Sequence, residues 1–353
     1  MFKNLAPPDF SDRPAIVIWE LTRACGLACR HCRAEATPCA LPGQLSPEES
    51  RRLIAQIADV QPRVLVLTGG DPAERDDLCD LVAMASNAGL RVALSPSATP
   101  RFLRLDLVAL REAGVRRISM SLDGANRETH DAFRGVAGTW DWTMESIRKI
   151  KEAGIELQIN TTITRQNLNE LDEFVAYVWG LEPVLWSVFQ LVPTGRAQKE
   201  DLLSGEEMEW LFGRLWEVGR QVPFDIKTTE GQHFRRVVAQ RNAAAGIRSP
   251  QPPVGVNDGR GFVFVSHTGE VYPSGFLPFS AGNVREGELL DFYRNSPLFQ
   301  ALREEDGFSG KCGCCEFRKL CGGSRARAYA MTGDYLASEP LCTYQPKRQP
   351  CSI

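Results

Sequence analysis

The sequence predicts an α/β fold built from parallel βαβ units, followed by a small cysteine-rich region. Three observations lead there. Short apolar segments alternate with amphipathic ones from residue 15 to about residue 230. Several amphipathic segments end in glycine just before the next apolar run. The pattern then changes after a stretch rich in proline and glycine, GIRSPQPPVGVNDGRG, at 246–261. Apolar strands separated by helices are the pattern of a parallel sheet covered on both faces.

Taken in order, AIVIWEL (15–21) reads as the first strand. Ser46-Pro47-Glu48-Glu49 opens a helix with a capping hydroxyl, a proline in the first turn and early acids. RVLVLTGG (63–70), RVALSPS (91–97), RISMSLDG (117–124), IELQINTTIT (155–164) and VLWSVFQLVP (184–193) supply the second to sixth strands. Amphipathic stretches at 78–88, 103–113, 139–153 and 168–179 lie between them, and Gly89, Gly114 and Gly154 mark helix stops. Six such units fit an open doubly wound sheet or a partial barrel. Either architecture gathers chemistry at the C-terminal strand ends, and Cys25, Gly69, Asp123 and Gln190 all lie at or just past one. Beyond the linker, FVFVSHTGEVYPS (262–274) reads as a hairpin around Thr268-Gly269. The expected division is an N-terminal extension at 1–14, the α/β domain at 15–245, a linker at 246–261 and a cysteine-rich domain at 262–353.

A chain of 353 residues with formal net charge -3 and no Lys/Arg block argues against a nucleic-acid footprint. No apolar run approaches the roughly 20 residues that span a bilayer. The opening MFKNLAPPDF lacks the charged start and apolar stretch of a signal peptide. The expectation is a cytoplasmic protein with neither nucleic acid nor membrane as partner. There the thiols stay reduced, so the clustering of the 11 cysteines points to metal ligands rather than disulfides. Cys39, Cys79 and Cys351 fall outside the clusters and read as free thiols.

CGLACRHC sets Cys25, Cys29 and Cys32 in a C-x3-C-x2-C spacing just after the first strand. Cubane clusters take four thiolates, so three leave one iron open to another ligand. A zinc site, with His31 as fourth ligand, is the alternative, although its place between two cysteines disfavours it. Near the C-terminus, Cys312, Cys315, Cys321 and Cys342 follow a C-x2-C-x5-C-x20-C spacing, enough to close a second [4Fe–4S] cluster or a zinc site. Cys314 is an extra thiol that could replace Cys312 or Cys315.

The triad loop resembles the defining motif of the radical S-adenosylmethionine (SAM) superfamily. The resemblance implies a partial (βα)6 barrel with a small C-terminal cysteine-rich auxiliary-cluster domain. It also implies a [4Fe–4S] cluster on Cys25, Cys29 and Cys32 that cleaves SAM to a 5′-deoxyadenosyl radical. Gly69, Gly70, Asp71 and Pro72 resemble the family's Gly-Gly-Glu-Pro segment contacting the SAM amino group, with Asp in place of Glu. Ser121 and Asp123, with Arg134 in HDAFRG, resemble the segment facing the ribose and SAM carboxylate, and Asn160 resembles a ribose contact. The C-terminal region is similar to SPASM and twitch extensions. Ser274 and Ser324 stand where family cysteines often do, which implies one auxiliary [4Fe–4S] cluster.

Within the superfamily, CGGSRARAYAMTGDYLASEPLCTYQP and GEVYPSGFLPFSAGNVRE look most like the haem-biosynthetic branch, which includes the Fe-coproporphyrin decarboxylase and enzymes trimming propionates in d-type haem synthesis. The reading this implies is oxidative decarboxylation of tetrapyrrole propionates, with Arg325 and Arg327 as carboxylate contacts and a ferredoxin or flavodoxin as electron donor. Maturation of a ribosomally made peptide is the alternative reading, and a non-catalytic zinc protein the remote one.

Overall fold

The computed structural model describes residues 9–247 and 255–347. All six expected strands form: β1 (Ile16–Glu20), β2 (Val64–Thr68), β3 (Val92–Leu94), β4 (Val115–Ser121), β5 (Glu156–Ile163) and β6 (Leu185–Gln190). Three more follow, β7 (Asp225–Thr229), β8 (Phe262–Val265) and β9 (Val271–Tyr272). They make one sheet in the order β7-β6-β5-β4-β3-β2-β1-β8-β9. Every neighbouring pair is parallel except β8 with β9. From β1 to β7 each strand lies beside its predecessor, so the winding never reverses. A doubly wound sheet reverses at a switch point. This one is a curled, open half-barrel.

Two features of the sheet lay outside the sequence pattern. β7 has the sequence DIKTT, with one strongly apolar residue, and pairs along β6 from Leu185↔Asp225 to Phe189↔Thr229. The hairpin foreseen around Gly269 is present, and β8 lies parallel to β1 from Ile16↔Phe262 to Trp19↔Val265. The sheet therefore runs on through the position where the sequence pattern changes. Much of the expected linker, 248–254, lies outside the described residues, as do residues 1–8 of the N-terminal extension.

The two faces of the sheet differ in chemistry. Toward the helices point Val17, Trp19, Leu65, Leu67, Ile118, Met120, Ile159, Trp186 and Val188, all wholly buried. Each such side chain contributes about 1.5–3 kcal/mol by leaving water. Two of the covering helices begin with capping boxes, Ser46 with Glu49 on Pro47–Val60 and Ser204 with Glu207 on Gly205–Val218. Each box satisfies orphan N–H groups at the helix start. The opposite face is chiefly polar from β4 to β7, whereas Ile18, Val66 and Phe264, in register, make it apolar across β2, β1 and β8. Ser121, Asn160, Ser187 and Lys227 stand in register across β4, β5, β6 and β7. They form a row across the sheet, from the C-terminal end of β4 to the middle of β6 and β7.

Candidate active site

The Cys25–Cys32 loop is clasped by backbone from three strand ends. After β2, Gly70 and Asp71 donate N–H bonds of 2.7 Å to the carbonyls of Thr22 and Ala24. A Cβ on Gly70 would lie 2.4 Å from the Ala24 carbonyl oxygen, so only glycine allows the approach. Beyond β4, the helix Arg127–Arg134 ends against the loop: Ala28 and Arg30 donate to the carbonyls of Arg134 and Phe133. Gly135, at φ 70, lies so near Ala28 that a Cβ would come within 2.5 Å of its carbonyl oxygen. After β6, the Arg196 N–H reaches the Cys32 carbonyl at 3.0 Å and its guanidinium the Cys29 carbonyl at 3.0 Å. Gly195, at φ 59, packs on Cys32 in the same way.

Each thiol of the loop faces a donor. Cys25 Sγ accepts the Leu27 N–H at 3.4 Å and meets Ser97 Oγ at 3.4 Å. Cys32 Sγ accepts from Ala36 N–H, and Cys29 Sγ lies 3.5 Å from Arg134 Nη1. Such hydrogen bonds to sulfur accompany thiolates bound to iron. Burial pushes the Cys25 thiol up to about 11, so deprotonation there must come from the metal that takes it. The loop fits a cluster held by Cys25, Cys29 and Cys32.

Asp71 is wholly buried, and its carboxylate is engaged by Ala73 N–H, Ser97 N–H and the Thr99 hydroxyl. Burial raises it to about 6 despite those bonds. Its side chain thus braces the loop 97–99 against β2, while Pro72 begins a short 3-10 turn. The carbonyl of Gly70 accepts from Ser97 Oγ at 3.0 Å. Asp123 is buried beside Arg134 at 2.6 Å and accepts the Thr162 N–H at 2.7 Å. Burial alone would raise its carboxyl, but Arg134 holds it below the usual range. His31 Nε2 lies 3.8 Å from Asp123, turned to that carboxylate. Asp123 N–H donates to His130 Nδ1, which leaves the proton on Nε2 facing Thr143. Ser121 and Asn160 are paired neighbours on the polar face.

The second cysteine set is equally assembled. Cys312, Cys315, Cys321 and Cys342 line one cavity, together with His233, Arg236, Lys311 and Glu339. Their sulfurs accept backbone N–H groups: Glu339 to Cys312 at 3.3 Å, Phe317 to Cys315 at 3.4 Å and Gly323 to Cys321 at 3.4 Å. Burial pushes the Cys321 thiol up to about 12. Four thiols around one cavity with N–H donors behind them fit a four-cysteine cluster. Cys314 does not line it. Its S–H points to the carbonyls of Gly310 and Lys311. Ser324 is a helix cap, accepting the Arg327 N–H and donating to Glu230. Cys351 lies outside the described residues.

Arg325 and Arg327 require a correction. Both are fully buried. Arg325 donates to the carbonyls of Tyr335 and Ala337 and stacks on Phe308 at 4.6 Å. Arg327 grips Glu339 through two bonds of 2.9 and 2.8 Å and also reaches the Leu191 carbonyl. Their donors are engaged inside the chain, so neither faces a substrate carboxylate. The sequence reading also passed over Glu20, which is buried and bound to Arg33 at 3.1 Å and His267 at 3.2 Å. It joins the first cysteine loop to the β8–β9 hairpin. Arg196 lay in view as PTGR after the sixth strand, but only the fold brings it to Cys29. Lys227 carried no sequence mark at all.

The comparisons with known proteins agree with this geometry. Residues 19–178 match the family model described as "Radical SAM superfamily". The chain is 40% identical to the AdoMet-dependent heme synthase of Oleidesulfovibrio alaskensis, across 98% of this chain and 91% of that protein. It is 30% identical to the PqqA peptide cyclase of Rhizobium meliloti, across 95% of this chain and 88% of that protein. In fold it is similar to Streptococcus suis SuiB bound to S-adenosylmethionine, with TM-score 0.72 and 17% identity, covering 94% of this chain and 78% of that one.

Proposed function

The chain belongs to the radical SAM superfamily, and we propose that it removes carbon dioxide from the propionates of an iron-bearing tetrapyrrole in haem formation. The observation that carries this reading is the likeness to a haem synthase along nearly the whole chain, at 40% identity. The likeness to a peptide cyclase is weaker, at 30%. When bound to Cys25, Cys29 and Cys32, a [4Fe–4S] cluster supplies the electron that splits SAM into methionine and a 5′-deoxyadenosyl radical.

In this reading the chain binds SAM along the rim beside that loop. Gly69 and Gly70 offer backbone carbonyls, and Ser121 and Asn160 offer polar side chains to the ribose. Arg134 and Asp123 set the charge next to Cys29. Lys227 stands in the same row as Ser121, Asn160 and Ser187, and pairs with no carboxylate among the described residues. It is the cation the polar face offers to a propionate. Lys227 is exposed, yet desolvation by the surrounding chain, with Arg117 adding repulsion, lowers its ammonium to about 8, where an incoming carboxylate would hold it charged. Hydrogen abstraction from the propionate β-carbon yields deoxyadenosine. The carboxylate leaves as carbon dioxide, an alkene forms and one electron is left over. A cluster on Cys312, Cys315, Cys321 and Cys342 would supply a carrier for such an electron. A ferredoxin or flavodoxin is the proposed donor, and the reducing cytoplasm the proposed compartment.

The test is an anaerobic incubation of reconstituted protein with SAM, a strong reductant and Fe-coproporphyrin III, read by mass spectrometry. Stepwise loss of carbon dioxide alongside deoxyadenosine is the expected result. Deoxyadenosine with an unchanged porphyrin would overturn the substrate and leave peptides as the next class to try.

A further inference from the structure

His233 has neither ring nitrogen hydrogen-bonded, although it is wholly buried. A buried polar group without a partner costs free energy, so such a residue demands an explanation. The ring lines the cavity shared by the four cysteines. It is held there with care. Its edge packs on Phe212, with ring centroids 4.7 Å apart. The segment before it is tied to the C-terminal region twice: Ser324 donates to Glu230, and Gln232 donates to Asn257, which donates to the Gly323 carbonyl. Glu230 takes the left-handed conformation at φ 54, which costs energy for any residue but glycine. Gly231 fits so closely against Gln190 and Thr228 that a Cβ would come within 2.9 Å of both.

The polar neighbours are occupied elsewhere. Glu339 accepts from Arg327, Ser324 and Leu341. Arg236 binds Glu209 and Gln240, and Lys311 reaches the Cys342 carbonyl. What remains for His233 to address is the sulfur of the cavity.

We propose that His233 donates its ring N–H to sulfur of a cluster held by Cys312, Cys315, Cys321 and Cys342, as a positioning residue that sets that cluster's reduction potential. This rests on the reading of those cysteines as auxiliary-cluster ligands. An N–H···S bond stabilises the more negative, reduced state, so its removal makes the cluster harder to reduce.

The test uses full-length protein with Cys25, Cys29 and Cys32 all replaced by alanine, so that only the second set is left to hold iron. Iron and sulfide analysis comes first. No iron in this protein would overturn the auxiliary-cluster reading, and the proposal with it. If iron is bound, the protein is compared with versions also carrying His233→Leu or His233→Gln in redox titrations followed by electron paramagnetic resonance. The expected result is a shift to more negative potential in His233→Leu, with His233→Gln close to the parent because an N–H is kept. Equal potentials in parent and His233→Leu at equal iron content would overturn the proposal. If His233→Leu does not fold, pulsed measurements on the parent decide. A weakly coupled nitrogen with an exchangeable proton supports the donor role, whereas a strongly coupled nitrogen makes His233 an iron ligand and overturns it.

Discussion

The two cysteine sets are held by opposite means. Around Cys25, Cys29 and Cys32 the contacts are chiefly backbone to backbone, made where Gly70, Gly135 and Gly195 let strand ends press on the loop. Around Cys312, Cys315, Cys321 and Cys342 the supports are buried charges: Arg327 on Glu339, and Arg325 beside Asp258, whose carboxylate accepts the Arg325 and Ala326 N–H groups. Burial raises the Asp258 and Glu230 carboxyls, whereas Arg327 holds Glu339 down to about 2 against the same effect. The first site therefore rests chiefly on shape, with the Asp123–Arg134 and Glu20–Arg33 pairs beside it, and the second on charge balance. A methyl group is the natural probe of one, and the loss of a guanidinium the natural probe of the other.

The largest effect is expected from Arg327→Met. It leaves Glu339 buried without its counter-charge, a loss of about 3–5 kcal/mol. Thermal unfolding and iron counts should show the second set emptied while the first keeps its iron; loss from both sets equally would mean that the charge network supports the whole chain.

Next comes Glu20→Gln, at the contact joining the first loop to the hairpin. Burial alone would raise the Glu20 carboxyl, but Arg33, His267 and Arg23 bring it down to about 2 from 4.5. A depressed folded-state value adds stability above the unfolded value of 4.5, and that stability fades as pH falls toward about 2. The contribution near neutral pH is about 3 kcal/mol. Denaturant titrations at pH 7 and pH 3 should show the gap between parent and variant shrinking in acid, and a constant gap would discount the ion pairs.

Gly70→Ala should cost about 1–3 kcal/mol, as overpacking does. The strain falls on the first loop alone. Deoxyadenosine formation should drop by about tenfold or more, while iron at the second set stays. A variant that turned over normally would show the loop to be softer than its close contacts imply.

Lys227→Gln is the smallest change. The expected result is an affinity for Fe-coproporphyrin III lower by roughly tenfold, about 1.4 kcal/mol, with SAM binding unaltered. Unchanged porphyrin affinity would move the propionate contact away from this row of polar residues.

The fold was largely readable because buried parallel strands announce themselves as apolar runs, and glycines mark the helix stops. All six segments from AIVIWEL to VLWSVFQLVP became strands. β7 escaped because DIKTT lies at a sheet edge and needs little apolar surface. The role of Arg325 and Arg327 was misread for a different reason. A basic pair in sequence is the same whether it meets solvent, substrate or a buried Glu339, and only burial distinguishes them.

Chemical identity was carried by the chain itself: cysteine spacing within a few residues constrains which thiols reach one centre, and alternating apolar and amphipathic segments impose parallel winding. The tertiary structure alone decided the rest. It showed that the sheet winds in one direction without reversal, that β8 lies on β1, that Gly195 and Arg196 clasp a loop more than 160 residues earlier, and that His233 joins the distant C-terminal cysteines. Those contacts join positions far apart along the chain, and local periodicity contains no term for which distant surfaces meet.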